Sequence, residues 1–353
     1  MTTLEHSATA RFLIYSAAFI IVVAGMKTAE SLLVPFLLSI FIAVLCSPPL
    51  SWLHRKNVPY GLAIMLIIAM VVVFGLLIGA IVSSSIHSFS QDLPEYQNKL
   101  QTQVSALQTW LQGMGINLSS ARLQENFNPG AAMGLVGNTL ASLGNVMTNA
   151  FMILLTVIFI LAEQSVFYDK LKIASANSSR SLAAIDRFAL SVNRYMAIKS
   201  VLSLLTGVLI VAWLALLGVD YPVLWGMLAF LLNFVPTLGS MLAAIPAVLL
   251  ALVQLGTGDA LLTATGYLVV NVVVGNVLEP RLMGRGLDLS ALVVFLSLVF
   301  WGWVLGPVGM LLSVPLTMTL KIALESVEGT RGLAIMLGSG AGLLSCAEEE
   351  SEV

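Results

Sequence analysis

The segment NFVPTLGS, Asn233 to Ser240, interrupts a run of 38 uncharged residues, 221–258. As one straight α-helix this run would be about 57 Å long, whereas the hydrocarbon core of a bilayer is about 30 Å thick. Pro236 removes a backbone donor and clashes with the preceding turn, and Gly239 permits a reversal of the chain. NFVPTLGS therefore marks a break inside a hydrophobic segment, and this break decides the fold.

A second break of the same kind lies in the 32 uncharged residues 289–320. The sequence at its centre is LGPVG, which contains Gly306, Pro307 and Gly309. The hexapeptides that follow the two breaks, MLAAIP and MLLSVP, match position by position. The two segments therefore form a weak internal repeat, and we expect them to share one backbone structure.

Each broken segment could be one kinked span, two full spans, or a re-entrant hairpin that enters and leaves the membrane on the same side. The first arm of the earlier segment, 222–235, is only about 21 Å long as a helix, too short to cross unaided. Broken backbone is tolerated at membrane depth only where protein buries it or where it lines a cavity. We therefore predict re-entrant hairpins at 222–255 and 290–320.

Composition indicates that most of the remaining chain also lies in a membrane. Of the 353 residues, 58% are hydrophobic and 10% are charged, against about 25% charged residues in an average soluble domain. Apolar runs long enough to cross are found near 9–28, 31–50, 59–87, 139–163, 197–217 and 260–278. We predict an all-α polytopic membrane protein with about six crossing helices and two inverted re-entrant hairpins.

One segment, 88–138, differs in kind because it holds seven glutamines and an apolar stripe at helical spacing. It is predicted to be a small periplasmic helical domain whose stripe packs on a second helix at 118–127. The other predicted regions are the N-terminal transmembrane helices (1–87), the transport core (139–330) and an acidic tail (331–353). This arrangement puts 13 of the 16 Lys and Arg residues inside, so both termini are predicted to be cytoplasmic.

The sequence lacks the motifs of the common enzyme classes. It contains neither GxxxxGK[ST] nor GxSxG, and His6, His54 and His87 lie far apart. Cys46 and Cys346 have no spacing typical of a metal or redox site, and a net charge of −2 gives no reason to expect nucleic-acid binding. We expect neither an enzyme nor a cofactor or metal.

The candidate solute-binding residues are the neutral polar groups and the backbone breaks at predicted membrane depth. They are Asn233, Pro236, Thr237, Gly239, Ser240, Asn271, Asn276, Gly306, Pro307, Gly309 and Ser313. In a regular α-helix Asn271 and Asn276 point about 140° apart, so they could not serve one site equally. Each asparagine could instead bond a neighbouring helix, which is the usual role of polar residues in spans.

Four charges interrupt the apolar sequence between the two predicted hairpins, in GNVLEPRLMGRGLDLS at 275–290. An anion at the end of a helix, such as Glu279, opposes the helix dipole, so it should have a cationic partner. Arg281 and Arg285 are the candidates for a structural ion pair with it. Asp288 and Ser290 are candidate N-caps for the second hairpin.

The stretches GNVLEPRLMGRGLDLS, VPTLGSMLAAIPAV and GPVGMLLSVPLT resemble the signature blocks of the autoinducer-2 exporter family, the PerM-like permeases of the bacterial inner membrane. The resemblance extends from the first span to about Val327 and is greatest to the quorum-signal exporters. It implies a homo-oligomer, a pentamer in the family, whose hairpin-bearing elements move. One departure is Ser290-Ala291, where many members carry His-Pro, and this favours export over the cation antiport of other members.

The function that follows is secondary export of a small neutral hydroxylated solute, with autoinducer-2 as the solute that the resemblance implies. Two alternatives stay open: a cation/proton antiporter of the same family, and a non-transporting membrane scaffold built around 88–138. The carboxylates Glu30, Glu163, Asp220, Asp259 and Glu279 all fall at the ends of predicted spans. Because a cation-coupled transporter usually carries a carboxylate in mid-membrane, these positions favour the neutral solute.

Overall fold

The computed structural model describes residues 8–114, 134, 137, 149–174, 179–235, 239–283, 289–325 and 328–338, and every element within these ranges is helical. The longer helices of the first half are α1 (Ala8–Thr28), α2 (Glu30–Arg55), α3 (Tyr60–Gly113), α4 (Ala150–Ala174) and α5 (Ser179–Leu217). The second half contains α6 (Pro222–Leu232), α7 (Gly239–Gln254), α8 (Thr257–Asn271), a π-helix (Val272–Leu278), α9 (Glu279–Met283), α10 (Ala291–Glu325), a 3-10 turn (Glu328–Thr330) and α11 (Arg331–Leu337).

In the part of the chain that the structure describes, five stretches of helix are long and apolar enough to cross a membrane. They are Glu30–Arg55, Tyr60–Gln103, Val192–Leu217, Thr257–Leu282 and Ala291–Glu325. The predicted spans at 9–28 and 139–163 correspond to shorter apolar stretches of α1 and α4. The prediction of an all-α polytopic membrane protein is confirmed. Four of these stretches correspond to predicted spans, and the fifth, Ala291–Glu325, contains the segment predicted as the second hairpin.

The predicted boundary at residue 88 is not a helix end. Helix α3 continues from the third apolar run to Gly113, with Pro94 inside it. The start of the predicted stripe packs elsewhere than expected: Tyr96 is buried, and Leu93 partly buried, in a cluster with residues of α6 and α7. Residues 118–127, the expected partner of the stripe, lie outside the described residues. A separate domain at 88–138 therefore remains a prediction.

The described contacts divide the chain into two compact units. The first unit is Met1–Val44, Leu155–Ala189 and Leu287–Val353, and the second is Leu45–Leu154 and Leu190–Gly286. Each broken segment belongs to one unit, with 222–255 in the second and 290–320 in the first. Both segments fold back on themselves within their own unit.

The segment 222–255 forms a helical hairpin, hairpin 1, made of α6 and α7. Its two ends meet, because the Gln254 side chain accepts a hydrogen bond from the Asp220 N–H at 2.9 Å and donates to the Gly218 carbonyl at 3.0 Å. At the other end, a Cβ added to Gly239 would lie 1.8 Å from the Leu232 carbonyl oxygen. Only glycine permits this approach, so the predicted reversal is present.

The segment 290–320 also folds back, within α10, and forms hairpin 2. The chain breaks at Gly306, whose φ of 63° and ψ of −153° are not helical. The Trp301 indole N–H donates to the Thr317 hydroxyl at 3.1 Å, although in a straight helix residues 16 apart would be separated by about 24 Å. The arms 291–305 and 307–325 are therefore antiparallel, and the apolar stretch Ala291–Glu325 is not one straight span.

Candidate functional site

The tip of hairpin 1 contacts α5 through a buried pair of neutral polar side chains. Asn233, the C-cap of α6, is 7% exposed, and its amide donates to the Ser203 hydroxyl at 3.0 Å. Ser203 lies 14 residues before the end of α5, which is about 21 Å along the helix. Hairpin 1 therefore reaches far along the apolar part of α5 and places its broken backbone beside a polar group.

One face of α5 carries a short polar stripe inside its apolar segment. Lys199, Ser203 and Thr206 follow one another at spacings of four and three residues, so they lie on the same side of the helix. All three are buried, at 3%, 0% and 3% exposure. The Thr206 hydroxyl donates to the Leu202 carbonyl, which leaves Lys199 and Ser203 as the two members that reach other elements.

Lys199 forms a buried ion pair with Glu279. The ammonium group donates to both carboxylate oxygens at 2.8 Å, and the two side chains are 4% and 23% exposed. The expectation that Glu279 needs a cationic partner is met by Lys199, and of the two expected partners Arg281 is not the one. Arg281 is exposed on α9, and Arg285 lies outside the described residues. Lys199 directly precedes an apolar run of the sequence, and the fold buries its side chain.

A π-helix precedes Glu279 and changes how the two asparagines of this segment are related. The 140° separation of Asn271 and Asn276 assumed a regular α-helix, but residues 272–278 form i→i+5 bonds. Wider turns narrow that angle, because a residue then lies above the one five positions earlier. Asn271 is half-buried and Asn276 is exposed. Neither side chain joins the buried pair of Asn233 and Ser203 in any contact of the described residues.

The open end of hairpin 1 is held by a network of tyrosines and carboxylates. The Tyr96 hydroxyl on α3 donates to Asp220 at 2.8 Å, and the Tyr221 hydroxyl donates to Asp92 on α3. Further along α3, the Gln103 amide donates to the Leu252 carbonyl at 3.0 Å. The C-terminal half of α3 therefore contacts both ends of the base of hairpin 1, while the tip contacts α5.

At the tip of hairpin 2, the predicted residues act mainly on the backbone. Gly309 is buried, and a Cβ there would lie 2.0 Å from the Trp301 carbonyl oxygen. Ser313 is fully buried, but its hydroxyl donates to the Met310 carbonyl in its own helix at 2.8 Å. Pro307 begins the second arm. Glycine is therefore needed here for the close approach of the arms, and Ser313 is already satisfied locally.

Two buried hydroxyls on α8 lack a partner among the described residues, those of Thr263 and Tyr267. They are 0% and 4% exposed and lie one helical turn apart. A buried hydroxyl without a partner costs about 1–3 kcal/mol, so a water molecule or a hydroxylated solute would be stabilised there. Within the described ranges no group of His, Cys, Asp and Glu could hold a metal ion.

Comparison with known proteins assigns the chain to a family of transporters. The model of the AI-2E family transporters matches residues 16–329. The chain belongs to this family. The AI-2 transport protein TqsA of Escherichia coli is 43% identical over 93% of this chain and 95% of its own length. A Haemophilus influenzae protein, named as a candidate transport protein, is 44% identical over 93% of this chain and 96% of its own.

Membership of the AI-2E family confirms a multi-pass membrane transport protein rather than an enzyme. Of the predicted site residues, Asn233, Gly239 and Ser240 lie at the tip of hairpin 1 and are buried, as are Gly309 and Ser313 in hairpin 2. Pro236 and Thr237 lie outside the described residues. The sequence interpretation missed Ser203 and Lys199, for which a spacing of four residues at the start of an apolar run was the available signal.

Proposed function

We propose that this AI-2E transporter exports a small neutral hydroxylated solute, the quorum-sensing signal autoinducer-2, across the bacterial inner membrane. The observation that carries the proposal is the buried hydrogen bond between Asn233 and Ser203 at the break of hairpin 1. Secondary transporters commonly build substrate sites at discontinuous helices. The name of the Escherichia coli relative, AI-2 transport protein, supports the choice of solute.

The chemistry of this region suits a solute without charge. The asparagine amide and the serine hydroxyl both donate and accept hydrogen bonds, so they can exchange their mutual bond for bonds to a solute hydroxyl. The neighbouring charges Lys199 and Glu279 neutralise each other at 2.8 Å. A site that hydrogen-bonds a solute hydroxyl can discriminate strongly against analogues that lack it, because its own buried groups would then be unpaired.

In the proposed topology both termini are cytoplasmic, and hairpin 1 enters the membrane from the periplasmic side. The base of hairpin 1, with the Tyr221–Asp92 bond, then faces the periplasm. Its tip lies about 21 Å deeper along α5, beside Ser203. The solute would pass this tip, and the assembly would be a homo-oligomer, a pentamer as the family resemblance implies.

A second candidate function, cation/proton antiport, is favoured by one observation. Lys199 and Glu279 both lie in candidate membrane spans, at Val192–Leu217 and Thr257–Leu282. Charged residues in spans often mark ion or proton pathways. The pair is therefore the feature on which an antiporter would depend, whereas the exporter depends on Asn233 and Ser203.

The experiment measures autoinducer-2 inside and outside cells that lack the chromosomal gene and carry plasmid variants. We expect the deletion to raise the internal pool and lower the external pool, and wild-type protein to restore both. Asn233→Ala and Ser203→Ala should fail to restore them at equal membrane abundance. Asn98→Ala is the matched control, because Asn98 is exposed on α3.

The same strains distinguish the alternatives. Loss of sodium or lithium tolerance in the deletion strain, with unchanged autoinducer-2 pools, would establish the antiporter instead. Unchanged pools and unchanged tolerance would point to a scaffold. Normal export by both Asn233→Ala and Ser203→Ala, with export lost in the deletion, would remove the tip of hairpin 1 from the solute path.

A further inference from the structure

We propose that Lys27 and Glu30 are positioning residues for transport, which hold the tip of hairpin 2 by capping the two helix ends that meet at Gly306. The proposal rests on the proposed function only for its transport readout. Lys27 lies at the end of α1 and Glu30 at the start of α2, so the turn between these helices carries both charges. Neither residue was among the candidate site residues predicted from the sequence.

The break at Gly306 leaves two helix ends close together. The last carbonyl groups of the first arm accept no hydrogen bond from within the helix. Likewise, the first N–H groups of the second arm have no acceptor within their helix. Gly306 itself adopts φ +63°, a conformation that other residues rarely take. In a membrane such unsatisfied backbone groups are costly, so the tip needs capping groups from another element.

Lys27 caps the end of the first arm. Its ammonium group donates to the Trp303 carbonyl at 2.6 Å and lies 5.7 Å from the centroid of the Trp303 ring. A cation at the C-terminal end of a helix is stabilised by the partial negative charge of the unpaired carbonyls. The contact joins residues that are 276 positions apart in sequence, so it fixes the tip to the α1–α2 turn.

Glu30 lies at the start of the second arm. Its Oε1 atom would be 3.1 Å from a Cβ at Gly306, and its carboxylate is 3.5 Å from the Lys27 ammonium. An anion at the N-terminal end of a helix is stabilised by the free N–H groups there. Each charge therefore lies at the helix end that its sign favours, and the pair complements both dipoles at once.

Packing around the pair supports a fixed position of the tip. Val23 of α1 and Val304 and Leu305 of hairpin 2 form one buried cluster. The tip thus lies level with the α1–α2 turn, at the end of α1.

The order of the two charges distinguishes an effect on helix ends from a simple ion pair. The distance measurement described below separates the helix ends at Gly306 from those of α1 and α2, where Lys27 and Glu30 also lie. The double variant Lys27→Glu, Glu30→Lys keeps an ion pair but places each charge at the wrong helix end. We expect Lys27→Met to lower the maximal rate of autoinducer-2 transport in proteoliposomes about fivefold, from the size of helix-end interactions, with KM unchanged. The exchanged double variant should stay as slow as Lys27→Met, and Lys27→Arg should restore the rate.

The matched control is the exposed pair Glu95–Lys99, whose charged atoms are 2.7 Å apart on α3. Exchange of these two charges should leave the transport rate unchanged. A full rate in the exchanged variant of Lys27 and Glu30 would reduce the pair to an ordinary salt bridge and overturn the proposal. A change in KM as large as the change in rate would do so too, because it would place the pair at the solute.

A second measurement does not depend on transport. Spin labels at Thr28→Cys and Val299→Cys, both exposed positions, report the distance between the α1–α2 turn and the first arm. We expect a narrow distance distribution with Lys27 present and a broad one after Lys27→Met or the exchange. An unchanged distance distribution in both variants would contradict the proposal that Lys27 and Glu30 hold the tip of hairpin 2. The wild-type protein could move no autoinducer-2 while these labels respond as expected. The proposed function would then be wrong, and the positioning role of Lys27 and Glu30 would be supported.

Discussion

The two hairpins of this chain have the same backbone plan but different support at their tips. In hairpin 1 the tip is held by two neutral buried side chains, Asn233 and Ser203. In hairpin 2 the tip is held by the half-exposed charges of Lys27 and Glu30, which are 42% and 39% exposed. The two hairpins therefore share the break in the helix, whereas the side chains that hold the tip differ between them.

The largest effects should come from what the hairpins share, the glycine that lets their arms meet. An added Cβ would lie 1.8 Å from a backbone oxygen at Gly239 and 2.0 Å at Gly309. We expect Gly239→Ala and Gly309→Ala each to cost more than about 3 kcal/mol, above the usual range for overpacking, because a backbone atom must move. The measurement is thermal unfolding in detergent, with membrane yield as a second readout.

Gly75→Ala on α3 is the control, since nothing lies within 4 Å of the added Cβ. It should leave the unfolding temperature unchanged or raise it, because alanine is the better helix former. If Gly309→Ala is tolerated and Gly239→Ala is not, the two hairpins do not share one closing device. That result would weaken the interpretation of the segments as a repeat.

The next effect concerns the ion pair beside the tip of hairpin 1. Removing one partner of a buried pair leaves an uncompensated charge, so Lys199→Met should destabilise the protein by about 3–5 kcal/mol. The double variant Lys199→Met, Glu279→Leu should recover most of this loss, because it removes both charges. Lys99→Met, at an exposed pair, should change the stability by less than about 1 kcal/mol.

Unfolding in detergent of the four proteins tests this expectation. A double variant as unstable as Lys199→Met would show that Glu279 alone is not the source of the loss. A stable double variant that has lost export would instead indicate a direct role of the charges in transport. The second outcome would favour the antiporter over the exporter.

Sequence patterns predicted those parts of the fold that depend on local rules. Gly239 and Gly306 mark the reversals, because glycine and proline act on the backbone within a few residues. The partner of Glu279 could not be found in this way, since Lys199 lies 80 positions earlier. Two arginines within a few residues were the nearer candidates, and only the fold, which brings Lys199 beside Glu279, identifies the partner.

The extent of α3 shows another limit of sequence patterns. The glutamine-rich composition after residue 88 predicted the start of a new domain, but α3 continues through this position without a helix end. Composition reports the surroundings of a helix and not its ends. The tip of hairpin 2 was likewise located only by the distant residues Lys27 and Glu30, which no local pattern connects to Gly306.

Accessibility of the loops tests whether the hairpins enter from opposite sides of the membrane. In a background without Cys46 and Cys346, a cysteine at Gly258 should react with a membrane-impermeant maleimide in intact cells. A cysteine at Gly286, in the loop predicted to be cytoplasmic, should react only after the cells are opened. The expectation follows from the positive-inside count of 13 to 3.

A kinked-span topology would move Arg281 and Arg285 outside and reduce the count to 11 to 5. Charge alone therefore does not decide the topology. Reaction at 286 in sealed cells, with 258 protected, would show that the hairpins are not inverted in the membrane. That result would leave the folded-back structure of each hairpin unchanged. It would contradict only the prediction that the two hairpins enter the membrane from opposite sides.

The smallest effects should come from removing one side-chain hydrogen bond at the base of each hairpin. In hairpin 1 the Tyr221 hydroxyl donates to Asp92, and in hairpin 2 the Ser290 hydroxyl accepts from the Val293 N–H at 3.2 Å. A bond of either kind contributes about 1 kcal/mol, so Tyr221→Phe and Ser290→Ala should lower stability by similar small amounts. A much larger loss in Tyr221→Phe would mean that the network with α3, and not the single bond, holds the base.

The effect of Tyr221→Phe on stability can also be measured as a function of pH. Burial, followed by the hydrogen bond to Asp92, raises the pKa of Tyr221 to about 12, above the value of about 10 for an unfolded chain. A raised pKa gives a stabilisation that is complete below pH ~10 and is lost as the pH rises through the folded value. The difference in unfolding temperature between wild type and Tyr221→Phe should therefore be the same at pH 6 and pH 9. A difference that changes between these two values would show that another group titrates at the base of hairpin 1.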